Sequence, residues 1–236
     1  MERKPYEVDY EEQPLSPVRR AIAQRVTESM RQIPSFSMHA EVDASALVAA
    51  REQAKAAADE EHPAPTYNDY LIKIVALALR EHPRLNAHFV DGAVRLCRQI
   101  NISVAAATAQ GVLMPTVLNA DQKSLAEISA EMREMLDLAR RGKLRASLQL
   151  GGTFSLSNIG PGACDSFNAI ISPPQVAILA VGALAPRPFV VDGRLEVRPT
   201  LRLTLTVDHR AIDGADGAPF LAELKERIAR VEIGEG

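Results

Sequence analysis

The stretch "RLEVRPTLRLTLTVD", residues 194–208, most limits what this chain can fold into. From Thr200 onward polar and apolar side chains alternate strictly. Leu201, Leu203, Leu205 and Val207 stand against Thr200, Arg202, Thr204 and Thr206. Successive side chains of a strand point to opposite faces, so this period of two specifies a strand with one apolar face. Such a strand needs partners beside it and an apolar layer over that face. After Gly151-Gly152 the segments "TFSLS", "SFNAIIS", "QVAILAVGAL" and "PFVVD" also read as strands, which makes this part of the chain all-β.

Helical periods dominate the rest. "SPVRRAIAQRVTESMRQI" opens with Ser16 as N-cap and Pro17 in the first turn. Val18, Ile22, Val26, Met30 and Ile33 recur at helical spacing, and the arginine face (Arg19, Arg20, Arg25, Arg31) reads as solvated. "SFSMHAEVD" is a strand with Phe36, Met38, Ala40 and Val42 on one side. Asp43 is the expected cap of an alanine-rich helix running to about residue 58. "YNDYLIKIVALALREHP" is an apolar helix stopped near Pro83, and short strands follow around residues 86–96. "INISVAAATA" and "GVLMPTVL" read as a strand pair joined by a Gln110-Gly111 turn. A helix is expected over 122–141, with Leu125, Ile128, Met132, Met135, Leu136 and Ala139 on one face and Gly142 as its stop. A last helix over about 215–231 turns Phe220, Leu221, Leu224, Ile228 and Val231 inward.

Mixed helices with contiguous C-terminal strands point to an α+β fold, a mixed central sheet flanked by helices, and not to a βαβ repeat. Residues 1–14 read as a flexible arm or linker, 15–233 as one domain and 234–236 as a polar tail. Twenty-seven basic and 30 acidic residues give a net charge of −3, which argues against a nucleic-acid binder. No apolar run reaches membrane-spanning length, and "MERKPYEVDYEEQ" has no apolar core of a signal peptide. Cys97 and Cys164 form neither a CxxC pair nor a metal spacing, so the expected compartment is the reducing cytoplasm.

The long strand runs into "DHRAIDGADG", and a residue at the end of a rigid strand is well placed for chemistry. His39, His62, His82 and His88 read as structural; His209 differs by this position. Three roles compete for Asp208-His209-Arg210 with Asp213. One is a strand-end salt bridge with Asp213 or Asp216 capping the next helix. A metal site would need His209 and Asp213 on one helical face, yet Gly214 follows at once and no second His or Cys is near. The third is a general base, since imidazole titrates near neutral pH. Spacing alone leaves the first and third open.

The motif has company. "PLSPVRRAIAQRVTESM", "TYNDYLIKIVALALREHPRLNA", "INISVAAAT", "GVLMPTVLNADQKSLAEI", "GGTFSLSNIG", "FNAIISPPQVAILAVG" and "DHRAIDG" together resemble, in order, the dihydrolipoamide acyltransferase catalytic core of 2-oxo acid dehydrogenase complexes. The resemblance spans roughly residues 14–231 and is nearest the acetyltransferase branch. Chloramphenicol acetyltransferase, a more distant relative in fold, shares only HxxxDG. The resemblance implies a chloramphenicol acetyltransferase-like sandwich that moves an acyl group, acetyl first, between dihydrolipoamide and coenzyme A. It implies His209 as the base that takes the thiol proton, Asp213 as the residue shaping the turn and the imidazole's surroundings, and Ser157 as the oxyanion donor. Strand alternation agrees in placing Thr153, Ser155 and Ser157 opposite Phe154 and Leu156.

Further implications concern assembly. The resemblance implies a homotrimer in which His209 of one copy meets Ser157 of the next. Coenzyme A enters as a substrate, another domain or protein supplies the lipoyl group, no metal is used, and other complex components are partners. Some segments depart from the family pattern. "IPSFS" and "GKLRASLQLGGTF" differ from its common forms, and no lipoyl or peripheral-subunit-binding domain lies in these residues. The ending "RVEIGEG" would bring a glutamate where larger cores dock an apolar terminus, so an isolated trimer is the expectation. The competing functions are a stand-alone CoA-dependent acyltransferase acting on a small-molecule hydroxyl or amine, and a non-catalytic scaffold. Intact His209, Asp213 and Ser157 weigh against the scaffold.

Overall fold

The computed structural model describes residues 8, 10–108, 111–160, 162 and 164–234. In chain order its elements are α1 (Pro17–Gln32), β1 (Ser35–Asp43), α2 (Ser45–Ala56), α3 (Tyr67–Glu81), β2 (Ala87–Val90), β3 (Ala93–Leu96), β4 (Ile102–Thr108), β5 (Gly111–Leu113) and β6 (Thr116–Val117). Then come α4 (Leu125–Arg140), a 3₁₀ turn (Ala146–Gln149), β7 (Phe154–Asn158), β8 (Ala177–Val181), β9 (Ala185–Val191), β10 (Arg194–Asp208) and α5 (Gly214–Arg230). Among the described residues eight strands join one sheet in the order β1-β10-β8-β7-β4-β5, with β6 on β4 and β9 on β10; β2 and β3 form a separate hairpin. The sheet is mixed: β7 runs parallel to both β4 and β8, and β10 is antiparallel to β1, β8 and β9.

The register explains the alternation in β10. Val104, Leu156, Leu179, Leu205 and Met38 line up across five strands as one apolar row. The neighbouring row is Ala105, Ser157, Ala180, Thr204 and His39, small or polar throughout. The apolar rows enter the main core beside residues of α2, α3, α4 and α5. Phe154 and Phe220 are fully buried there with ring centroids 5.9 Å apart. Burial of each such side chain contributes roughly 1.5–3 kcal/mol. The polar face of β10 is also enclosed: Thr200, Thr204 and Thr206 are buried. Their hydroxyls find partners across the strands, Thr206 with Ser37 at 3.0 Å and Thr204 with His39 Nδ1 at 3.0 Å.

Capping residues fix the helix starts. Thr66 and Asp69 form a capping box on α3, an almost wholly buried helix, and Ser124 and Glu127 do the same for α4. The latter box sets the start of α4 at Leu125, where hydrophobic periodicity alone suggested 122. Asp43 is not the N-cap of α2. That position falls to Ala44, while Asp43 ends β1 and accepts from the Ser45 backbone N–H at 2.8 Å.

Two expectations fail on the polar side of the sheet. "SFNAIIS" is not a strand. α1 takes carbonyls from this stretch and the residue after it instead: Ser29 Oγ donates to Ile171 O at 2.7 Å, and Arg25 Nη2 to Pro173 O at 2.9 Å. Arg25 therefore does not belong to a purely solvated face. The apolar stripe of α1 is uneven: Ile33 and Ile171 share a small buried cluster with Ile178, whereas Val18, Val26 and Met30 stay exposed. β4 and β5 pair antiparallel through Thr108 and Gly111, but Gln110 of the expected turn lies outside the described residues. Most of the expected N-terminal arm and of the polar tail lies outside them too, as does Pro161 of the loop after Ser157.

Gly182, between β8 and β9, shows how close the packing is. A Cβ there would stand 1.9 Å from the Asp165 carbonyl oxygen, which is backbone and has no way to give. Gly182→Ala is expected to destabilise the fold by about 1–3 kcal/mol, the cost of overpacking. Thermal unfolding checks this as a fall of several degrees in Tm.

Candidate active site

The turn at the end of β10 is fastened from within. The Asp208 backbone N–H donates to Val176 O at 2.8 Å, and the Asp208 carbonyl accepts from Ala211 and Ile212 at 3.0 and 2.9 Å. The buried Asp208 side chain accepts from the Arg210 backbone N–H at 3.0 Å and from Arg210 Nη2 at 2.7 Å. These bonds hold the Arg210 pKa above its ordinary value. The same guanidinium lies 4.2 Å from the centre of the Phe89 ring. Ala211 and Ile212 point into the core, and Asp213 ends the turn as N-cap of α5. Its Oδ1 accepts from the Ala215 and Asp216 N–H groups, and Asp216 Oδ2 accepts in return from the Asp213 N–H at 3.2 Å. Salt bridge and cap are thus both present; they build the turn and leave the imidazole unengaged by them.

His209 is exposed on the outside of this turn. Its backbone N–H donates to Pro34 O at 3.0 Å, and its ring lies against Phe36 with centroids 4.4 Å apart. Ser157 is half-buried near the C-terminal end of β7, between Ala105 and Ala180 on the adjacent strands, whose small side chains leave its hydroxyl uncrowded. Asn158 is a turn former: its side chain accepts from the Gly160 N–H and donates to Asn68 Oδ1, both at 2.9 Å.

One chain does not bring His209 and Ser157 together. Ser157 shares a row with Thr204, two strands away through Ala180, and His209 lies five residues beyond Thr204. With strands about 4.8 Å apart and about 3.3 Å of rise per residue, the separation is on the order of 15–20 Å. The two side chains belong to opposite ends of the sheet. A cleft of about 410 Å³ opens beside the turn, lined among others by Ile33, Phe89, Pro173, Gln175, Asp208 and Arg210. Asp213, four residues after His209, stands at the N-cap of α5. Phe36 packs against the His209 ring, and the lock between Asp208 and Arg210, with Phe89 against its guanidinium, flanks it. The lock was legible as an acid and a base two residues apart; the aromatic neighbours come from β1 and β2 and leave no local signal. Among the described residues no group of three or more His, Cys, Asp or Glu stands close enough to hold a metal ion. Nor is any described helix long and apolar enough to cross a membrane.

A mixed sheet backed by helices, with an exposed histidine on the turn from the last strand into the last helix, defines a sandwich of the chloramphenicol acetyltransferase kind. That enzyme superposes with a TM-score of 0.55 at 19% identity over 87% of this chain and 94% of its own, a likeness of fold alone. The chain belongs to the family of 2-oxoacid dehydrogenases acyltransferase catalytic domains, whose model matches residues 7–233. It is 38% identical over 221 residues to the dihydrolipoyllysine-residue acetyltransferase component of pyruvate dehydrogenase complex from Rickettsia bellii, covering 93% of this chain and 53% of that one. The chain spans about half the length of the curated relatives it matches. The cubic core of the pyruvate dehydrogenase multienzyme complex aligns with a TM-score of 0.89 at 32% identity over 95% of this chain and 93% of its own. The dihydrolipoamide acetyltransferase of Azotobacter vinelandii gives 0.90, 32%, 95% and 93%.

Removing the Asp208 carboxylate would leave the Arg210 guanidinium and backbone N–H without their buried acceptor. Asp208→Ala is expected to cost about 2–4 kcal/mol, toward the lower end of breaking a buried ion pair because Arg210 is partly solvated. Chemical denaturation of the two proteins at neutral pH measures this.

Proposed function

We propose that this chain catalyses acyl transfer, acetyl by preference, between dihydrolipoamide and coenzyme A. The observation that carries the reading is a solvent-facing imidazole held rigidly at the end of a buried strand, backed by Phe36 and unencumbered by the ion pair on either side of it. Spacing supports it. The Azotobacter vinelandii structure was determined to establish the role of one serine, one histidine and one asparagine in that enzyme's mechanism; the serine precedes the histidine by 52 positions and the asparagine follows it by four. Ser157 and Asp213 stand at those separations from His209, with a carboxylate in place of the amide.

The steps follow from ordinary thiol chemistry. A thiol at its reference pKa is mostly protonated at neutral pH and needs a base. His209 takes the proton from the attacking thiol, and the new thiolate adds to the thioester carbonyl. Ser157 donates its hydroxyl to the resulting oxyanion. Collapse forms the new thioester, breaks the old carbon–sulfur bond, and returns the proton from the imidazolium to the departing thiolate. Asp213 holds the turn that aims the ring. With one chain's two groups at opposite ends of its sheet, the hydroxyl beside a given His209 comes from a second copy. The family resemblance supplies the rest of the reading: a homotrimer with sites between copies, whose lipoyl substrate is carried by another domain or protein alongside other 2-oxo acid dehydrogenase components. Residues 15–233 form the catalytic domain, and two free cysteines, Cys97 and Cys164, suit the cytoplasm.

His209→Ala is expected to lower acetyl transfer from acetyl-CoA to dihydrolipoamide by roughly 10²–10⁴-fold, and Ser157→Ala by about 10²–10³-fold. Reassembling the two inactive variants together should regain activity that neither has alone, because hybrids contain sites with an intact pair. Wild-type rates in either variant sink that residue's role, and no recovery in the mixture sinks the shared site. Faster transfer to an alcohol or amine than to dihydrolipoamide would move the assignment to a stand-alone acyltransferase.

A further inference from the structure

We propose that Arg84 is a positioning residue for His209, holding the rear of the turn as Asp208 and Arg210 hold its front. The inference rests on the reading of His209 as the base. Arg84 follows α3 and its C-cap His82, outside the HxxxDG motif and 127 positions from Ala211. Its guanidinium reaches the turn at two points. Nη2 donates to the Ala211 carbonyl at 2.8 Å, and Nε pairs with Asp216 Oδ1 at 2.7 Å. The other Asp216 oxygen accepts from the Asp213 N–H, so one carboxylate joins Arg84 to the helix cap. The turn from His209 to Asp213 is then fastened at two places, to the end of the sheet through Asp208 and to the loop after α3 through Arg84.

Exposure separates positioning from bulk stability. The Arg84 side chain is 56% exposed, and an ion pair in such a place adds little to the folding equilibrium. What the contact does supply is geometry: a planar fork offers two donors in fixed directions to a carbonyl and a carboxylate, which a lysine ammonium does not reproduce. Small displacements of a catalytic group cost rate more than they cost stability.

The test is steady-state acetyl transfer by the full chain, as Arg84→Ala and Arg84→Lys, each in the wild-type and His209→Ala backgrounds. Arg84→Ala is expected to lower kcat on the order of 10-fold, to leave KM for both substrates within about twofold, and to leave Tm and oligomeric mass unchanged. Arg84→Lys should recover only part of the loss. In the His209→Ala background Arg84→Ala should cost nothing more, since the aim of an absent ring no longer matters. Wild-type kcat in Arg84→Ala, a loss confined to KM, or the same fractional loss in both backgrounds overturns the proposal while leaving the role of His209 intact. Wild-type activity in His209→Ala overturns both. Should Arg84→Ala not fold, Arg84→Gln, which keeps the stem and one donor group, is read by the same criteria.

Discussion

Contact among Val104, Leu156, Leu179, Leu205 and Met38, side by side across five strands, is what the rest of the molecule hangs on. These side chains give α3 and α5 an apolar floor to pack against. They also fix the register, because a slip of one residue would send every apolar side chain of β10 to the polar face. With register set, β10 ends at Asp208 and the turn begins at one defined place. The adjacent row of small and polar residues follows from the same constraint, and Ser157 is one of its members. Both groups of the proposed chemistry thus take their places from core packing, far from either of them.

At the turn, burial is apportioned residue by residue. The carboxylate of Asp208 loses its water entirely, which is tolerable only because three Arg210 donors replace it. Arg210 in turn spreads its charge over Phe89. His209, between the two, faces outward with one aromatic neighbour, so its ring keeps access to solvent and to a substrate. The buried ion pair and the helix cap lie on either side of the imidazole, and the ring itself is left facing solvent.

Much of this was legible in the residues. The alternation of β10, the apolar face of α4 and the start of α1 at Ser16 and Pro17 each follow from a local period or a local cap. HxxxDG and its ordered companions pointed to the turn after β10 and, as an expectation, to Ser157. Segments whose partners are remote were misread. "SFNAIIS" has strand composition, yet α1 bonds to the Ile171 and following Pro173 carbonyls, and no described strand pairs with it. Arg25 looked solvated for the same reason. Helix starts shifted where a cap outranked periodicity, as Ser124 did over residue 122. Phe36, Phe89 and Arg84 approach the turn from β1, β2 and the end of α3, and only the tertiary fold makes neighbours of them. That His209 and Ser157 lie apart within one chain was expected only from the family resemblance; strand order and direction supply the physical reason.

That separation bears on how a cell would handle the protein before assembly. Acyl-CoA is a store of group-transfer potential, and a base with an oxyanion donor beside it could spend that store on water. If His209 and Ser157 are that pair, splitting them between opposite ends of one sheet leaves each newly made polypeptide with two harmless halves. On the proposed reading, hydrolytic waste would then be avoided by architecture alone: the capacity to break a thioester would arise only at the seam where copies join, which is also where the acceptor would arrive.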